Sequence, residues 1–280
     1  MAIVTNTFTK YSAVGLREDL SNIIYNISPQ TTPFVSNMTK KRSVSNTFFE
    51  FQTDSLSAAA ANAQIDGDDL GSFTAVTPTS RLGNYTQILR KDFIIADNLG
   101  GALDLAGRRN EISYNLAKKG SELKRDVEYN LTGVNQAAVA GNNTTARKTA
   151  SLSAFLRTNT SRGSGGADPT VSSGVVNAAA TDGSARAITE ALLKTVLQSV
   201  WTEGGEPKMV LCGPHVKTVI SGFSGIAAQR YMAPSDSPTT IIGAADVYMS
   251  DFGSVQITPS RSVRTGYAAT HSKRRTCEDW

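Results

Sequence analysis

The chain has 280 residues, a formal net charge of +4 and a charged fraction of only 19%. This length can bury a large hydrophobic core in one domain or two, but the two cysteines, Cys212 and Cys277, are too few for a disulfide framework and lack metal-ligand spacing. The sequence has no run of about 18 apolar residues and no charged leader, so we expect neither a membrane span nor a signal peptide. Because the Lys and Arg residues are dispersed, they favour loose contact with a polyanion over sequence-specific readout.

Residues 1–43 have the pattern of an arm. One apolar stripe at helical spacing predicts a short amphipathic helix. The stripe consists of Leu16, Leu20, Ile23, Ile24 and Ile27. Pro29 ends this helix, and we expect Pro33 to keep the next segment extended up to the apolar anchor at Phe34. The same pattern also fits a helix packed on its own domain, and the residues alone leave both readings open.

Residues 44–96 change to a strand-and-loop character. Residues 46–52 predict a strand with Phe49 and Phe51 on one face, and residues 85–96 predict the returning strand. The connection between them is too long for a compact hairpin and too poor in large apolar side chains for a core. We therefore predict a long two-stranded extension that projects from the body and needs a partner surface.

Residues 97–140 contain the strongest helix signal. Apolar residues recur at four- and seven-residue spacing over 103–131, and Gly133 lies just beyond as a stop signal. A helix of this length would be a rod of about 43 Å, long enough to act as a structural spine. A coiled coil is disfavoured because the heptad pattern breaks at Gly120.

The second half of the chain divides at about residue 185. Residues 141–185 are rich in Ala, Gly, Ser and Thr, and we interpret them as an exposed excursion or a loosely ordered domain joint. Residues 186–264 predict a compact α/β unit, with a helix over 188–201, a strand over 208–212, a short helix up to Gly222 and a hairpin over 246–258. Residues 223–238 form a long loop that carries Arg230 and Tyr231.

A search for reactive groups finds no catalytic pattern. The histidines are His215 and His271, and neither has a Cys, His or carboxylate at metal-ligand spacing. The glycine-rich stretch at 163–166 lacks the Lys-Ser/Thr pair of a phosphate-binding loop. We therefore predict a structural or binding protein rather than an enzyme, with no cofactor, metal or catalytic site.

Four blocks of the sequence resemble a family of tailed-bacteriophage major capsid proteins. They occur in family order between residue 16 and about residue 264, namely residues 16–34, residues 97–98 before the long helix, residues 213–223 and residues 246–253. The resemblance implies an α+β fold of the Hong Kong 97 type and a subunit that self-assembles into the icosahedral head shell around the genome. Another phage structural protein, such as a tail or decoration component, is the alternative.

The family's parts can be placed on the chain in order. The resemblance implies an N-terminal arm at 1–43, an extended β-hairpin loop at 44–96, a peripheral domain with the spine helix at 97–140, the excursion at 141–185 and an axial domain at 186–264. It implies that the arm, the extended loop and the loop at 223–238, which we call the axial loop, contact other subunits. The residues expected in these contacts are Leu20, Ile24, Pro33, Phe34, Phe49, Phe51, Arg230 and Tyr231. The implied partners are copies of the chain in hexamers and pentamers, portal and scaffold proteins and packaged DNA, with no membrane. The implied location is the virion after assembly in the host bacterial cytoplasm.

Residues 265–280 depart from the family pattern. They show no strand or helix period and match nothing that the family leads us to expect. We interpret them as an atypical tail and predict that the chain is shortened, or its reading frame shifted, near Arg264. Reading the gene in the alternative frame tests this prediction, because a stop codon there would contradict it.

Overall fold

The computed structural model describes residues 22–38, 43–68, 71–97, 105–108, 110–223 and 245–264, the single residues 7, 11 and 99, and the backbone of 268–272. The chain forms two compact units, one of Met1–Gln30 with Lys91–Glu122 and the other of Thr31–Arg90 with Leu123–Trp280. No helix in the described part of the chain has the length and apolar character needed to cross a membrane.

In the first unit, residues 22–27 have no regular secondary structure. The helix predicted up to Ile27 is therefore wrong for this part, while Leu16 and Leu20 lie outside the described residues. The side chains of Ile23 and Ile27 are 61% and 95% exposed, so little of the apolar stripe is covered, and a short helix is marginal without such cover. The Asn26 side chain also accepts a hydrogen bond from the Ser28 amide at 3.0 Å, an alternative to helical pairing.

The long helix, Glu111–Glu128, starts later than predicted; it begins in the first unit and ends in the second. Gly107 adopts a left-handed backbone with φ of 76°, which no α-helix accommodates. Asn110 then caps the helix, because its side chain accepts a hydrogen bond from the Ser113 amide at 3.1 Å. The helix is therefore about 27 Å long rather than about 43 Å. A π-helical turn, Tyr129–Gly133, completes it and ends at the predicted glycine.

The second unit begins with a short helix, α1 (Pro33–Asn37), where the sequence predicted an extended link. Proline is favoured at the first helical position, because its missing N–H has no helical partner there and its φ suits a helix. Numbered from α1, the long helix Glu111–Glu128 is α2.

One sheet of the second unit has the strand order β1-β2-β4-β3. It consists of β1 (Phe48–Thr53), β2 (Ser80–Tyr85), β3 (Thr170–Ser172) and β4 (Val175–Ala178). Strands β1 and β2 are antiparallel from Phe48↔Tyr85 to Thr53↔Ser80 and form a two-stranded hairpin. The projecting extended loop at 44–96 stays a prediction.

The returning strand of this hairpin lies earlier than predicted, and residues 86–96 contain no strand. Gly83 explains why the returning strand is β2, at Ser80–Tyr85. A side chain there would come within 2.4 Å of the Phe48 ring, and the Gly83 amide donates a hydrogen bond to the Gly174 carbonyl at 2.7 Å. The strand is therefore selected by close backbone approach and not by an apolar pattern.

Residues 141–185 are ordered, so the interpretation as a loosely ordered domain joint is wrong, while the alternative of an exposed excursion stays a prediction. This segment contains α3 (Leu152–Phe155) and strands β3 and β4. Ala150, Ala154 and Val176 are buried together, with Phe155 packed against them. Small side chains allow this packing, as at Gly183, where a Cβ would come within 2.2 Å of the Gly163 carbonyl oxygen.

The second sheet confirms the predicted α/β unit. Its strand order is β6-β7-β5-β8, with β5 (Pro207–Cys212), β6 (Val247–Ser250), β7 (Gly253–Pro259) and β8 (Ala268–Ser272). Helices α4 (Glu190–Thr202) and α5 (Pro214–Ser221) supply side chains to its core. The members of this core are Leu193, Leu197, Val210, Cys212, Val216, Ile220, Val255 and Ile257.

The segment at 265–280 contains a strand, contrary to the expectation of no regular structure. Strand β8 pairs antiparallel with β5 from Pro207↔Ser272 to Cys212↔Ala268. Its sequence has no apolar alternation, so the pairing depends on the open edge of β5 rather than on a local pattern. The shortened or frame-shifted chain stays a prediction.

Candidate functional site

Within the second unit, α1 is held in place by a buried carboxylate. The Glu128 side chain has no exposed surface. Its Oε1 accepts a hydrogen bond from the Phe34 amide at 3.0 Å, and its Oε2 accepts one from the Val35 amide at 2.8 Å. The Ser260 hydroxyl donates a longer bond to Oε1 at 3.5 Å. One side chain therefore joins α1, the end of α2 and the segment after β7.

The π-helical turn places Glu128 at this point. The Thr132 hydroxyl donates to the Glu128 carbonyl at 2.8 Å, and the Val134 amide donates to the Tyr129 carbonyl at 3.1 Å. Gly133 has no room for a side chain, because a Cβ would lie 2.4 Å from the Ser262 carbonyl oxygen. The widened turn therefore fits tightly against residues 260–264, and this contact directs the carboxylate at α1.

An apolar cluster beside Glu128 completes the attachment. Phe34 is buried with Leu211 and Val263, and Met38, Leu131 and Leu152 pack around them. Before α1 in the chain, the Thr31 hydroxyl accepts a hydrogen bond from the Arg261 guanidinium at 3.3 Å. We call residues 31–38 the arm root, because this part of the predicted arm at 1–43 is packed on the second unit.

The structure separates the residues predicted to contact other subunits. Pro33 and Phe34 lie in the arm root, where Phe34 is used in the core of its own chain. Ile24 is partly exposed and lies next to Gly107 within the first unit. Phe49 and Phe51 are half-buried in β1, while Leu20, Arg230 and Tyr231 lie outside the described residues. The inter-subunit role of all eight residues stays a prediction.

The base of the β1–β2 hairpin is held by amide side chains. Gln87 donates from Nε2 to the Asn130 side chain at 3.2 Å, and its Oε1 accepts from the Thr149 amide at 3.1 Å. Asn84 is buried, and its Oδ1 accepts from the Ala150 amide at 2.9 Å. These bonds attach the hairpin to the turn after α2 and to residues 149–150, so its base is rigidly placed.

The far end of the hairpin, unlike its base, is exposed and irregular in its described residues. The described residues of the connection between β1 and β2, namely 54–68 and 71–79, have no helix or strand and are exposed. Large apolar side chains occur among them with almost complete exposure, including Leu56 at 99% and Phe73 at 89%, together with Ile65 and Val76. Exposed apolar groups in one segment are a feature of interaction surfaces, so this segment is a candidate for contact with another chain.

Further exposed apolar side chains lie on the α/β unit. Trp201, at the end of α4, is 54% exposed and contacts Phe252 with ring centroids 5.3 Å apart. Val247 and Met249 are exposed on β6, which is an edge strand of its sheet. An edge strand with apolar side chains is a further candidate for contact with another chain.

Charged groups around the α/β unit connect elements of the fold. Lys217 Nζ of α5 lies 2.9 Å from the Asp246 carboxylate before β6, and it also donates to the Ala245 carbonyl. The Tyr248 hydroxyl donates to Glu190 at 3.1 Å, and burial together with this bond raises the pKa of Tyr248. Burial also raises the pKa of the Cys212 thiol in the core. Lys217, Asp246, Tyr248 and Glu190 therefore connect helices and strands of the α/β unit.

Among the residues that the structure describes, no group of three or more His, Cys, Asp and Glu side chains could hold a metal ion. His215 is exposed at the start of α5. Asp168 accepts hydrogen bonds from Arg162 at 2.6 Å and from Thr160 at 2.8 Å, and the bond from Arg162 is the main cause of the lowered pKa of Asp168. Asp168 therefore has a structural role, because these bonds order its loop.

Sequence reasoning missed Glu128. Glu128 lies one position after Val127 and three before Leu131, which are half-buried in the structure. This position beside apolar residues was the available signal, although the same helix leaves Ile112 and Leu116 exposed. Its partners, Phe34 and Val35, are more than 90 residues away in the chain.

Comparisons with known proteins identify relatives. A family model described as SU10 major capsid protein matches residues 3–274, a range that includes most of the predicted atypical tail. The major capsid protein of Escherichia phage Phieco32 is 40% identical over 122 residues, which cover 43% of this chain. The matched region spans 34% of that relative, about a third of its length.

Proposed function

Because this chain belongs to the SU10 major capsid protein family, we propose that it self-assembles into the icosahedral head shell of a tailed bacteriophage and encloses the genome. The family match over residues 3–274 is the observation that carries the proposal. The exposed apolar segment at 54–79 supports it, since a subunit that builds a shell must leave such surfaces open for its neighbours. The proposed role is structural rather than enzymatic.

The architecture proposed for this role is the Hong Kong 97-type fold. The antiparallel hairpin β1–β2 supports an extended loop at 44–96, and α2 supports a spine helix in a peripheral domain at 97–140. The sheet β6-β7-β5-β8 with α4 and α5 supports an axial domain at 186–264. In this arrangement Arg230 and Tyr231 belong to the axial loop, and residues 1–43 form the arm.

The proposed partners follow from the same arrangement. Copies of the chain form hexamers and pentamers in which many modest contacts, repeated by symmetry, make a strong shell. Portal and scaffold proteins are proposed as further partners. The net charge of +4 supports weak, non-specific contact with packaged DNA. Assembly would take place in the host bacterial cytoplasm, and the final location is the virion.

Electron microscopy of the purified full chain tests this proposal. We expect closed shells or rings of capsomers in negative stain as the protein concentration is raised, with a salt-dependent assembled fraction. Uniform monomers at high concentration, both with and without co-expressed scaffold, would contradict the proposal. Fibres or trimeric spikes would favour the alternative of a tail or decoration component.

A further inference from the structure

We infer that Asp66 is a modification site, at which the peptide bond to Gly67 is transferred from the backbone carbonyl to the side-chain carboxyl to give an isoaspartyl linkage. The reaction needs water and no enzyme. The inference rests on the exposure and backbone conformation of Asp66 and Gly67, and on a comparison with the step Asp182–Gly183, which the fold holds differently. It does not depend on the proposed function.

The reaction has two steps, and its atoms balance. In the first step the backbone nitrogen of Gly67 attacks the side-chain carboxyl carbon of Asp66. A carbon–nitrogen bond forms, the carboxyl OH and the amide hydrogen leave together as water, and the product is a cyclic imide. In the second step water opens this ring at the backbone carbonyl and breaks its bond to the Gly67 nitrogen. The chain is then connected through the Asp66 side chain, a free backbone carboxylate remains, and the mass is unchanged.

Gly67 leaves its backbone nitrogen open to this attack. Glycine has no side chain to shield the nitrogen, and a Cβ at Gly67 would meet no atom within 4 Å, so the surroundings do not shield it either. Asp66 and Gly67 are both exposed, in the connection between β1 and β2 whose described residues have no helix or strand. The two reacting groups are therefore accessible to each other and to water.

The backbone at Asp66 can rearrange at low cost. Ring closure requires the peptide between Asp66 and Gly67 to rotate until its nitrogen faces the side-chain carboxyl carbon. These residues form the centre of a β-turn, in which the Asp68 amide donates to the Ile65 carbonyl at 3.1 Å and Gly67 has φ of 81°. Because the turn is exposed, water replaces the partners of this bond when it breaks, and local opening of such a segment is frequent.

The step Asp182–Gly183 has the same two residues but is held by the fold. Arg264 donates from Nη1 to the Asp182 carboxylate at 3.1 Å, and its Nη2 binds the other carboxylate oxygen. Gly183 is packed so closely on Gly163 that a Cβ there would come within 2.2 Å of the Gly163 carbonyl oxygen. Rotation of this peptide must break the ion pair and disturb the glycine contact, so ring closure is slower here than at Asp66.

The modification changes a segment that exposes large apolar side chains. An isoaspartyl linkage adds one carbon to the backbone and places a carboxylate beside it, so the spacing between Ile65 and Phe73 changes. Under the proposed function this segment contacts neighbouring copies, and chains with isoaspartate at position 66 should enter shells less readily. This consequence rests on the proposed function, whereas the modification itself does not.

Peptide mapping of the full chain tests the inference. The purified, unassembled protein is kept in neutral buffer for several days and digested, and its peptides are fragmented by electron transfer, which distinguishes isoaspartate from aspartate at each position. The same chain kept in concentrated urea gives the rates without a fold. Gly67→Ala is the matched variant, because it retains Asp66 but adds a methyl group that shields the nitrogen, and circular dichroism checks that it is folded.

We expect isoaspartate to accumulate at Asp66 at least tenfold faster than at Asp182 in the folded chain, because the turn opens more easily. In urea the two positions should react at similar rates, and Gly67→Ala should slow the reaction at Asp66 at least fivefold. Equal rates at the two positions in the folded chain would overturn the inference. A rate at Asp66 that is more than tenfold lower in the folded chain than in urea would overturn it as well.

Shells assembled from aged protein test the consequence for assembly. We expect them to contain at least threefold less isoaspartate at Asp66 than the chains left unassembled, and equal fractions would overturn this consequence. If the unsubstituted chain forms no shells, the proposed function fails, whereas peptide mapping still decides whether Asp66 is modified.

Discussion

At the scale of single residues, two glycines of one helical segment show how position decides the effect of a side chain. Gly120 is exposed within α2, and a Cβ there would meet no atom within 4 Å. Gly133 ends the π-helical turn, and a Cβ there would lie 2.4 Å from the Ser262 carbonyl oxygen and 2.6 Å from the Tyr129 ring. The first glycine only weakens the helix, whereas the second permits a close approach of two backbones.

We therefore predict opposite effects for Gly120→Ala and Gly133→Ala. The first should raise the free energy of unfolding by about 0.5–1 kcal/mol, because alanine restricts the unfolded chain and favours the helix. The second should lower it by about 1–3 kcal/mol, because the backbone at Ser262 must move. Denaturant unfolding followed by circular dichroism measures both. A shift in the same direction for both variants would contradict the contact at Gly133.

At the scale of elements, strand β8 covers an edge that would otherwise be open. Strand β5 is buried from Met209 to Cys212 and has β7 on one side and β8 on the other. Without β8, the backbone N–H and C=O groups along one edge of β5 lose their partners, and an unprotected edge favours aggregation.

Two truncations of the full chain test this element. A chain that ends after Arg264 lacks β8, and we expect a lower melting temperature and more aggregation. A loss of about 2 kcal/mol corresponds to about 4–8 °C for a domain of this size. A chain that ends after residue 274, where the family match ends, should melt as the full chain does. Equal melting temperatures for the two truncations would show that β8 contributes nothing.

At the scale of the whole molecule, the chain leaves apolar surfaces open that a solitary folded domain would cover. The segment at 54–79 carries Leu56 and Phe73 almost fully exposed, and the α/β unit exposes Trp201 and Met249. Under the proposed function, neighbouring copies cover such surfaces on assembly. The unassembled and the assembled protein should therefore differ most in this segment.

Limited proteolysis with chymotrypsin tests this expectation. We predict cleavage at Phe73 in the unassembled protein and at least tenfold slower cleavage at this position in shells, because assembly buries the segment. Phe155, packed beside Ala150 and Val176, is the internal control and should stay uncut in both states. Mass spectrometry of the fragments identifies the sites, and Phe73→Ser should remove the cut. Equally rapid cleavage at Phe73 in shells would show that the segment is not an interface.

Local patterns in the sequence determined much of the α/β unit. The periods of 3.6 and 2 residues, with glycine and proline at the boundaries, predicted α4, β5, α5 and the β6–β7 hairpin, because each of these elements is specified by its own residues and buries one apolar face. Only the tertiary structure decided the position of β2, the order in residues 141–185, the pairing of β8 and the role of Glu128. These features depend on close backbone approach at glycines, on small side chains or on partners distant in the chain. Their local sequence therefore carries no periodic signal, and the arrangement is selected by the surfaces against which they fold.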